Sequence, residues 1–301
     1  MKIIVSLPDQ QNEFQLLQAA DTRDTAARLG LDVEILDAES SPVLQIQQLV
    51  KAVHARPKAI VVEPLTDSGM EKVARRIAKE GIGLAVLNCT MPGLDDLRRQ
   101  HPDVPIFSVC SDQVEIGRVQ GRQLKTLLPS GGNVLYVHGP HNAAAARERY
   151  RGTTEVLAGS GIELTVLDAQ WSEESAASAV RGWMRLKSSD AMCIDVVAAQ
   201  DDSMARGARH AICAIPELAA RVGEIRFLGI DGVPDVGQRL VKDGELTATV
   251  VMPSNSGAAL DVLARWIHSG ALPLVTLELR AWSFPAEADL ARLAVSSRRS
   301  A

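Results

Sequence analysis

The chain has 301 residues, of which 46% are hydrophobic and 23% charged, and a formal net charge of -5. This is the composition of an ordinary globular protein with length for about two domains, and the acidic balance argues against binding to nucleic acid or an anionic membrane surface. No stretch approaches the roughly 20 apolar residues that cross a membrane, and no CxxC pair suggests a zinc site or a disulfide framework.

The first part of the chain alternates between strand and helix patterns. Short apolar runs predict strands at residues 2–8, 32–37, 59–62 and 84–87. Amphipathic spacing predicts helices at 12–29, 42–55 and about 68–80, the last of them capped by Asp67. A polar loop then continues to about Pro105. Strands alternating with helices of this length predict parallel βαβ units.

Residues 106–124 determine how the chain divides. An apolar run beginning at Ile106 predicts a buried strand, and Ser111 and Asp112 stop it as helix N-caps. In the helix that follows, Gly117 and Gly121 lie four residues apart on the buried face, which predicts a close approach to a neighbouring helix. One series of strand–helix units precedes this stretch and a second follows it, so Asp112 is predicted to lie where two lobes meet.

The second part of the chain repeats the alternation. Strands are predicted at 133–137, 163–167, 192–197, 227–230, 246–251 and 275–279, with helices at 143–157, from 172, at 203–212 and at 257–267. The tail from about Ala286 is predicted to be frayed. About ten units are too many for one compact open sheet, so the predicted fold is α/β with two doubly wound parallel-sheet lobes. A single (β/α)₈ barrel is the main alternative.

Motifs of catalysis and cofactor binding do not occur in the sequence. Gly81-Ile82-Gly83 lacks the third glycine of a dinucleotide fingerprint, and no phosphate-binding loop or nucleophile elbow is found. His138 and His141 are three residues apart, but the sequence around them supplies no third metal ligand. We therefore expect no catalytic residue, no metal and no cofactor.

Polar residues concentrate at the predicted carboxyl ends of strands, with two of the few aromatic residues near the starts of helices. This set comprises Asn12, Phe14, Asn88, Asp112, Arg147, Trp171, Asp201 and Asp231. Parallel strands gather such ends on one edge of each sheet. Planar polar groups with aromatic faces suit an uncharged polyhydroxylated ligand. Taken singly, each polar residue can equally be a helix cap or a loop group.

In these features the chain resembles the type I periplasmic sugar-binding proteins of the ribose-binding branch, and the related lac-repressor-type effector domains. The resemblance extends from Ile3 to about Trp282. The segments that carry it are Asn12-Glu13-Phe14, Glu63-Pro64-Leu65-Thr66-Asp67-Ser68, Ser111-Asp112 with Gly117, Ala145-Ala146-Arg147-Glu148-Arg149, Gln200-Asp201-Asp202-Ser203-Met204-Ala205, Gly229-Ile230-Asp231-Gly232 and Gly244-Glu245-Leu246-Thr247-Ala248-Thr249-Val250.

The resemblance implies a three-stranded hinge, with the ligand in the cleft between the lobes. The implied N-terminal lobe is 1–111 plus 253–276, the C-terminal lobe is 112–252 plus 277–285, and 286–301 is a tail. The implied ligand contacts are Asn12, Phe14, Gln15, Asn88, Cys89, Asp112, Arg147, Trp171, Asp201 and Asp231. Hinge closure around the ligand is the expected motion.

The chain departs from the family pattern at three places. Asn88-Cys89 stands where an Asp-Arg pair is usual, Gln15 where a second aromatic residue is common, and Val251-Met252 where a glutamine is expected. Loss of the Asp-Arg pair removes charge-assisted hydrogen bonds to ring hydroxyls. The ligand is therefore expected to be a pentose other than ribose, a polyol or another small polar metabolite.

The resemblance implies a non-enzymatic sugar- or polyol-binding component of an ABC-type importer. The implied partners are the small-molecule ligand and an ABC permease or signalling protein, without nucleic acid and without direct membrane insertion. An intracellular ligand sensor with the same cleft is the alternative, and an enzyme is a third hypothesis. The family is periplasmic, but the chain as written begins with a strand pattern in place of a signal peptide, so it would stay in the cytoplasm.

Overall fold

The computed structural model describes residues 1–66, 69–89, 91–186, 193–219 and 222–297. The strands are β1 (Lys2–Leu7), β2 (Asp32–Asp37), β3 (Ala59–Val62), β4 (Gly83–Leu87), β5 (Ile106–Ser111), β6 (Gly132–His138), β7 (Ile162–Asp168), β8 (Val196–Ala199), β9 (Arg226–Asp231), β10 (Ala248–Val251), β11 (Thr276–Leu279) and β12 (Trp282–Phe284). The helices are α1 (Glu13–Leu29), α2 (Pro42–His54), α3 (Met70–Lys79), α4 (Leu94–Gln100), α5 (Gln113–Leu127), α6 (Ala144–Leu157), α7 (Glu173–Leu186), α8 (Asp202–Cys213), α9 (Pro216–Ala219), α10 (Gly237–Lys242), α11 (Ser256–Ser269) and α12 (Glu287–Ser297).

The strands form two open six-stranded sheets. The first has the order β11-β5-β4-β3-β1-β2, with every pairing parallel. The second has the order β12-β10-β9-β8-β6-β7, and only its edge strand β12 pairs antiparallel. The prediction of two doubly wound α/β lobes is confirmed, and the described strands do not form the single closed barrel.

The chain divides into two compact units. Unit 1 comprises Met1–Ser111 and Pro253–Leu279, and unit 2 comprises Asp112–Met252 and the segment from Arg280 onward. The chain therefore passes from one unit to the other at three places.

Alternation along β1 shows how unit 1 buries both faces of its sheet. Ile3, Val5 and Leu7 belong to a core cluster that includes residues of α1 and α11. Ile4 belongs to a second cluster with residues of α2, α3 and α4. Because successive strand side chains point to opposite faces, a near-continuous apolar run is what a strand covered by helices on both sides requires.

Unit 2 is built in the same way from β6. Leu135 and Val137 pack in a cluster with residues of α7, α8 and α10. Val134 and Tyr136 pack on the other face, with residues of α5, α6 and α12. Among the described residues no helix combines the length and the apolarity needed to cross a bilayer.

The close helix approach predicted from Gly117 and Gly121 is confirmed. A Cβ at Gly117 would lie 1.9 Å from the carbonyl oxygen of Arg149 in α6, and one at Gly121 would lie 2.8 Å from Cβ of Val156. Gly152 in α6 makes a similar close contact with α5, because a Cβ added there would lie 1.9 Å from the carbonyl oxygen of Val114. The backbones of α5 and α6 therefore touch, which leaves no room for side chains at these positions.

Three predictions, on a lobe boundary, the C-terminal tail and one loop, are wrong. Leu277–Leu279 were expected in the second lobe, but β11 pairs with β5 and so extends the first sheet. The tail expected to fray contains α12, held by the fully buried Leu290 and by a Glu287–Arg122 ion pair of 2.8 Å. The loop expected before Pro105 contains α4, whose short apolar face is Leu94 and Leu97.

Short patterns give weak signals in the sequence. Helix α4 has only seven residues and carries four charges, so two leucines three apart are its whole helical signal. The strand predicted at 192–197 lies further along the chain, as β8 at Val196–Ala199. Asp67, the expected cap of α3, and Met192, the expected start of that strand, lie outside the described residues.

Candidate functional site

Two polar residues lie side by side at the carboxyl edge of the first sheet. Glu63 follows β3 and Asn88 follows β4, and these strands are parallel neighbours. Asn88 Nδ2 donates to Glu63 Oε1 at 3.1 Å. Asn88 has a φ of 61°, a left-handed conformation in which asparagine is several-fold enriched. The turn after β4 thus directs the predicted site residue Asn88 toward Glu63.

Helix α1 adds two more amide donors to the same carboxyl group. Gln15 Nε2 donates to Glu63 Oε1 at 3.0 Å, and Gln18 Nε2 donates to Oε2 at 3.1 Å. The two glutamines are three residues apart and so project from one face of α1. Gln15, named from the sequence as a ligand contact, is buried in the structure as a hydrogen-bond partner of Glu63.

The Glu63 carboxyl group is buried and hydrogen-bonded by neutral amides. Its side chain is hydrogen-bonded by amides, and among the described residues no lysine or arginine pairs with it. Burial is the main cause that raises its pKa above the ordinary value, and the charge of Asp9 adds to the rise, while the hydrogen bonds from Asn88, Gln18 and Gln15 oppose it. This edge of unit 1 is therefore rich in amides and acidic.

Gln18 also fixes the start of α11 against α1. Its Oε1 accepts hydrogen bonds from Ser254 Oγ at 2.7 Å, from Asn255 N at 2.8 Å and from Ser256 N at 3.0 Å. The same side chain thus joins Glu63 to the segment that enters unit 1 at Pro253. These side chains form one buried hydrogen-bonded network that restrains the edge, although Gln15 Oε1 has no hydrogen-bond partner among the described residues.

The remaining predicted residues of unit 1, and Asp112, have local partners. Asn12 caps α1, with Oδ1 accepting from Phe14 N at 2.9 Å, and the Phe14 side chain is buried. Cys89 is half-buried and packs on the cluster beneath α2, α3 and α4. Asp112 is exposed and caps α5, accepting from the backbone N–H of Val114 at 2.8 Å. The side chains of Asn12 and Asp112 therefore cap helices, which is the alternative interpretation of these residues in the sequence.

In unit 2 the central group is a buried arginine, Arg149 of α6. Arg149 is only 5% exposed to solvent. Its Nη1 atom lies 3.8 Å from Oδ1 of Asp231, the last residue of β9. Its Nε donates to Gln113 Oε1 at 2.8 Å, and its Nη1 donates to the carbonyl oxygen of Gln200 at 2.6 Å. A guanidinium held at this many points presents its remaining donors in a fixed direction.

Trp171 lies against the same guanidinium. The Cζ atom of Arg149 is 5.5 Å from the centre of the Trp171 ring, within the range of a cation–π contact. The ring also packs on Gly139, where an added Cβ would lie 2.4 Å from the indole. The structure therefore brings together Trp171 and Asp231, both predicted from the sequence, around Arg149.

Two aspartates that follow β8 accept hydrogen bonds from different parts of unit 2. Asp201 caps α8, accepting from Met204 N at 2.5 Å. Asp202 accepts from Gly232 N at 2.8 Å and from Thr249 Oγ1 at 2.6 Å, which connects the turn after β9 to strand β10. Asp202 thereby supports the turn in which Asp231 adopts a φ of 101°. Asp201, the predicted site residue, and Asp202 are both buried at the carboxyl edge of the second sheet.

Arg147, the arginine named from the sequence, points elsewhere. It is exposed, and its Nη1 donates to the carbonyl oxygen of His141 at 3.0 Å. A signal for Arg149 existed in the sequence, since Ala146, Arg149 and Gly152 recur at three-residue spacing and share the buried face of α6. Glu63 carried a weaker signal, its place at the end of a buried strand, which is the same position that singled out Asn88.

Comparison with known proteins gives a consistent assignment. The sequence profile described as a periplasmic binding protein domain matches residues 3–265. The chain is 25% identical over 248 residues to the ribose import binding protein RbsB of Salmonella typhimurium, covering 82% of this chain and 78% of that protein. It is 28% identical over 244 residues to a putative rhizopine-binding protein of Rhizobium meliloti, covering 79% and 75%.

Solved structures share the fold at lower sequence identity. The crystal structure of a galactofuranose-binding protein superposes with a TM-score of 0.82 at 20% identity, covering 100% of this chain and 99% of that one. The Caulobacter myo-inositol binding protein bound to myo-inositol gives 0.81 at 23% identity, covering 97% and 95%. With a family profile that spans most of its length, the chain belongs to the periplasmic binding protein family, in its type I, ribose-binding-like branch.

Proposed function

We propose that this protein binds a small sugar or polyol without chemical turnover, as the substrate-binding component of an ABC-type importer. The ligand is bound by polar groups at the carboxyl edges of the two sheets. Sequence relatives that include a ribose import binding protein and a putative rhizopine-binding protein support the proposal. Members of this family are solute-binding proteins rather than enzymes.

The observation that carries the proposal is the arrangement of Arg149, Asp231 and Trp171. At 3.8 Å the Arg149–Asp231 separation is longer than a direct hydrogen bond. A ligand hydroxyl can accept from the guanidinium and donate to the carboxylate, which makes both hydrogen bonds charge-assisted. The indole face beside them suits the C–H face of a sugar or cyclitol ring.

The polar groups at the carboxyl edge of the first sheet favour some classes of ligand over others. It offers Glu63 and a set of amides, with Asn88 and Cys89 where an Asp-Arg pair is usual in sugar binders of this type. An edge that is acidic, and at which no lysine or arginine of the described residues pairs with Glu63, favours ligands that donate hydrogen bonds, such as polyols, furanoses and amino polyols. Ribose itself, for which the Asp-Arg pair is suited, is expected to bind weakly.

The first experiment is thermal unfolding of the full chain with a panel of pentoses, hexoses, furanoses, cyclitols and amino polyols. A ligand present at a hundredfold excess over its Kd adds about 2.7 kcal/mol to the free energy of unfolding, which is a clear shift. Isothermal titration then measures the Kd of each hit. The absence of any shift across the panel would contradict the proposal.

Arginine variants locate the site and decide between two assignments. Because hydrogen bonds to charged groups contribute about 1.5–3 kcal/mol, Arg149→Met is expected to weaken binding roughly ten- to hundredfold. Arg151→Ala is the control, since its exposed side chain makes a loose 3.9 Å ion pair with Glu155. Loss of binding in Arg147→Ala but not in Arg149→Met would restore the assignment made from the sequence.

The sensor alternative shares the binding step and differs in the partner. An importer component is expected to stimulate ATP hydrolysis by its cognate ABC permease in vesicles only when the ligand is bound. Ligand binding without such stimulation, together with ligand-dependent association with a signalling protein, would favour the sensor.

A further inference from the structure

Two histidines and an aspartate meet at the carboxyl end of the β6–β7 pair, and none of them is used in the ligand site above. His138 ends β6 and Asp168 ends β7, and the two are directly paired in the parallel register. Paired residues on neighbouring parallel strands project to the same face of the sheet. His138 Nδ1 accordingly lies 3.8 Å from Asp168 Oδ1.

The turn after β6 brings the third group to the same place. His141 Nε2 lies 3.3 Å from Asp168 Oδ2, and the two imidazole ring centres are 5.2 Å apart. One donor atom from each of the three side chains lies within 4.8 Å of the other two. The third ligand that the neighbourhood of the two histidines lacks in sequence is therefore supplied by the next strand.

We infer that His138, His141 and Asp168 form a binding site for a divalent transition-metal ion of the zinc class. Two imidazoles and one carboxylate are donors that Zn²⁺ accepts, each at about 2.0–2.2 Å. Donors at those bond lengths around a tetrahedral ion stand roughly 3.3–3.6 Å apart. The observed donor separations of 3.3 Å and 3.8 Å are close to that spacing.

The surrounding contacts orient the His138 ring and the turn that carries His141. The His138 side chain is 3% exposed, its Nδ1 donates to the Gly139 carbonyl oxygen at 2.6 Å, and its ring meets the Tyr150 ring edge-on. Arg147 donates to the His141 carbonyl oxygen and so braces the turn. An ion bound at His138 Nδ1 takes the place of the proton that the Gly139 carbonyl oxygen accepts, so binding breaks this hydrogen bond and requires that carbonyl group to turn away.

Solvent reaches the site from the side of the other two donors. The side chains of His141 and Asp168 are 75% and 53% exposed. Water molecules can therefore complete the coordination of an ion that has three protein ligands. The site combines one buried, fixed ligand with two accessible ones.

The test is titration of the full chain, carrying no histidine tag, with ZnCl₂ in a buffer that does not coordinate metals. MgCl₂ is the comparison, because Mg²⁺ prefers oxygen ligands and is not expected to bind two imidazoles. We expect one equivalent of Zn²⁺ to bind and Mg²⁺ to give no saturable signal. Failure of Zn²⁺ to bind at one equivalent would overturn the inference.

Variants of the two exposed ligands separate this site from adventitious binding. Losing an outer-shell partner alone costs about 10–100-fold in metal affinity, so His141→Ala and Asp168→Asn are each expected to weaken Zn²⁺ binding at least about tenfold. His210→Ala is the matched control, since the exposed His210 lies 2.7 Å from Glu173, a carboxylate that already pairs with Arg206. Equal Zn²⁺ affinity in all three variants and the wild type would contradict the assignment.

X-ray absorption at the zinc edge reads out the ligands directly. The wild type is expected to show scattering from two imidazoles, and His141→Ala from one. A spectrum with oxygen ligands only, or one unchanged by His141→Ala, would overturn the site even if Zn²⁺ binds. Far-UV circular dichroism of each variant shows that it is folded.

Discussion

At the scale of single residues, the Glu63 carboxyl group of unit 1 is buried at an energetic cost. A carboxylate removed from water is destabilised unless charges or hydrogen bonds compensate it. Here three side-chain amides compensate it in part, yet burial still raises its pKa. A residue kept at such a cost at the edge of a sheet supports a role in the proposed ligand site.

The raised pKa of Glu63 predicts how stability changes with pH. The folded state holds this proton more tightly than the unfolded state, in which the pKa has its ordinary value of 4.5. Between these two pKa values the folded state binds more protons, so the free energy of unfolding falls as the pH rises. Glu63→Gln removes that titration, and the wild type is expected to lose stability relative to the variant from pH 4.5 upward.

Urea unfolding of both proteins across this range measures the difference. Glu63→Gln also places an amide N–H donor opposite the donating Nε2 of Gln18. The variant is therefore expected to be less stable than the wild type at acid pH. Glu71→Gln, a change at an exposed glutamate of α3, is the control. Parallel pH profiles for the wild type and Glu63→Gln would show that Glu63 does not titrate as inferred.

At the scale of elements, the contact of α5 with α6 joins the fold to the site. The Cα of Gly117 faces the backbone of Arg149, the residue whose side chain pairs with Asp231. Thr153 Oγ1 adds a hydrogen bond to the Gly117 carbonyl oxygen at 3.1 Å. The position of the Arg149 guanidinium therefore depends on how closely α6 approaches α5.

Gly117→Ala is expected to destabilise the protein and to weaken ligand binding together. Its methyl group would overlap the Arg149 carbonyl oxygen, and overpacking of this kind costs about 1–3 kcal/mol. Gly182→Ala in α7 is the control, because among the described residues no atom outside the adjoining helix backbone lies within 4 Å of its added Cβ. Alanine in a helix gains about 0.5–1 kcal/mol over glycine. Thermal unfolding of both variants, followed by titration of the best ligand, measures the two effects. Unchanged stability in Gly117→Ala would contradict the contact.

At the scale of the whole molecule, each unit is made from separate stretches of chain. Unit 1 takes α11 and β11 from beyond residue 252. Leu260 and Leu263 of α11 are fully buried in the cluster that also holds Ile3, Val5 and Leu7. Without α11, the part of this face that α1 does not cover would be exposed to water.

A fragment of residues 1–111 is therefore expected not to fold. Joining it by a flexible Gly/Ser linker to residues 253–279 restores α11 and β11, and that chain is expected to unfold cooperatively on heating. Near-UV and far-UV circular dichroism of the two proteins compare them directly. Cooperative unfolding of the short fragment would show that α11 is dispensable for the core of unit 1.

The sequence by itself determined the class of fold and the close packing of α5. Strand and helix periodicities are local properties, so the alternation of apolar residues predicted most strands to within a residue or two. Gly117 and Gly121 predicted a helix contact because only glycine leaves room for one. Segments with short or isolated patterns, such as α4 and α12, were beyond this kind of inference, since tertiary packing rather than periodicity stabilises them.

The tertiary structure alone decided which side chains meet. Arg147 and Arg149 are both arginines of α6. The packing of α6 on α5 turns Arg149, and not Arg147, inward to Asp231. Asp168 is far from His138 in sequence, yet the register of β6 with β7 places them side by side. Strand pairing and helix packing bring together groups that are distant along the chain, and the sequence carries no local pattern for those distances. The fold could therefore be predicted from the sequence, while the chemistry of its sites had to be read from the structure.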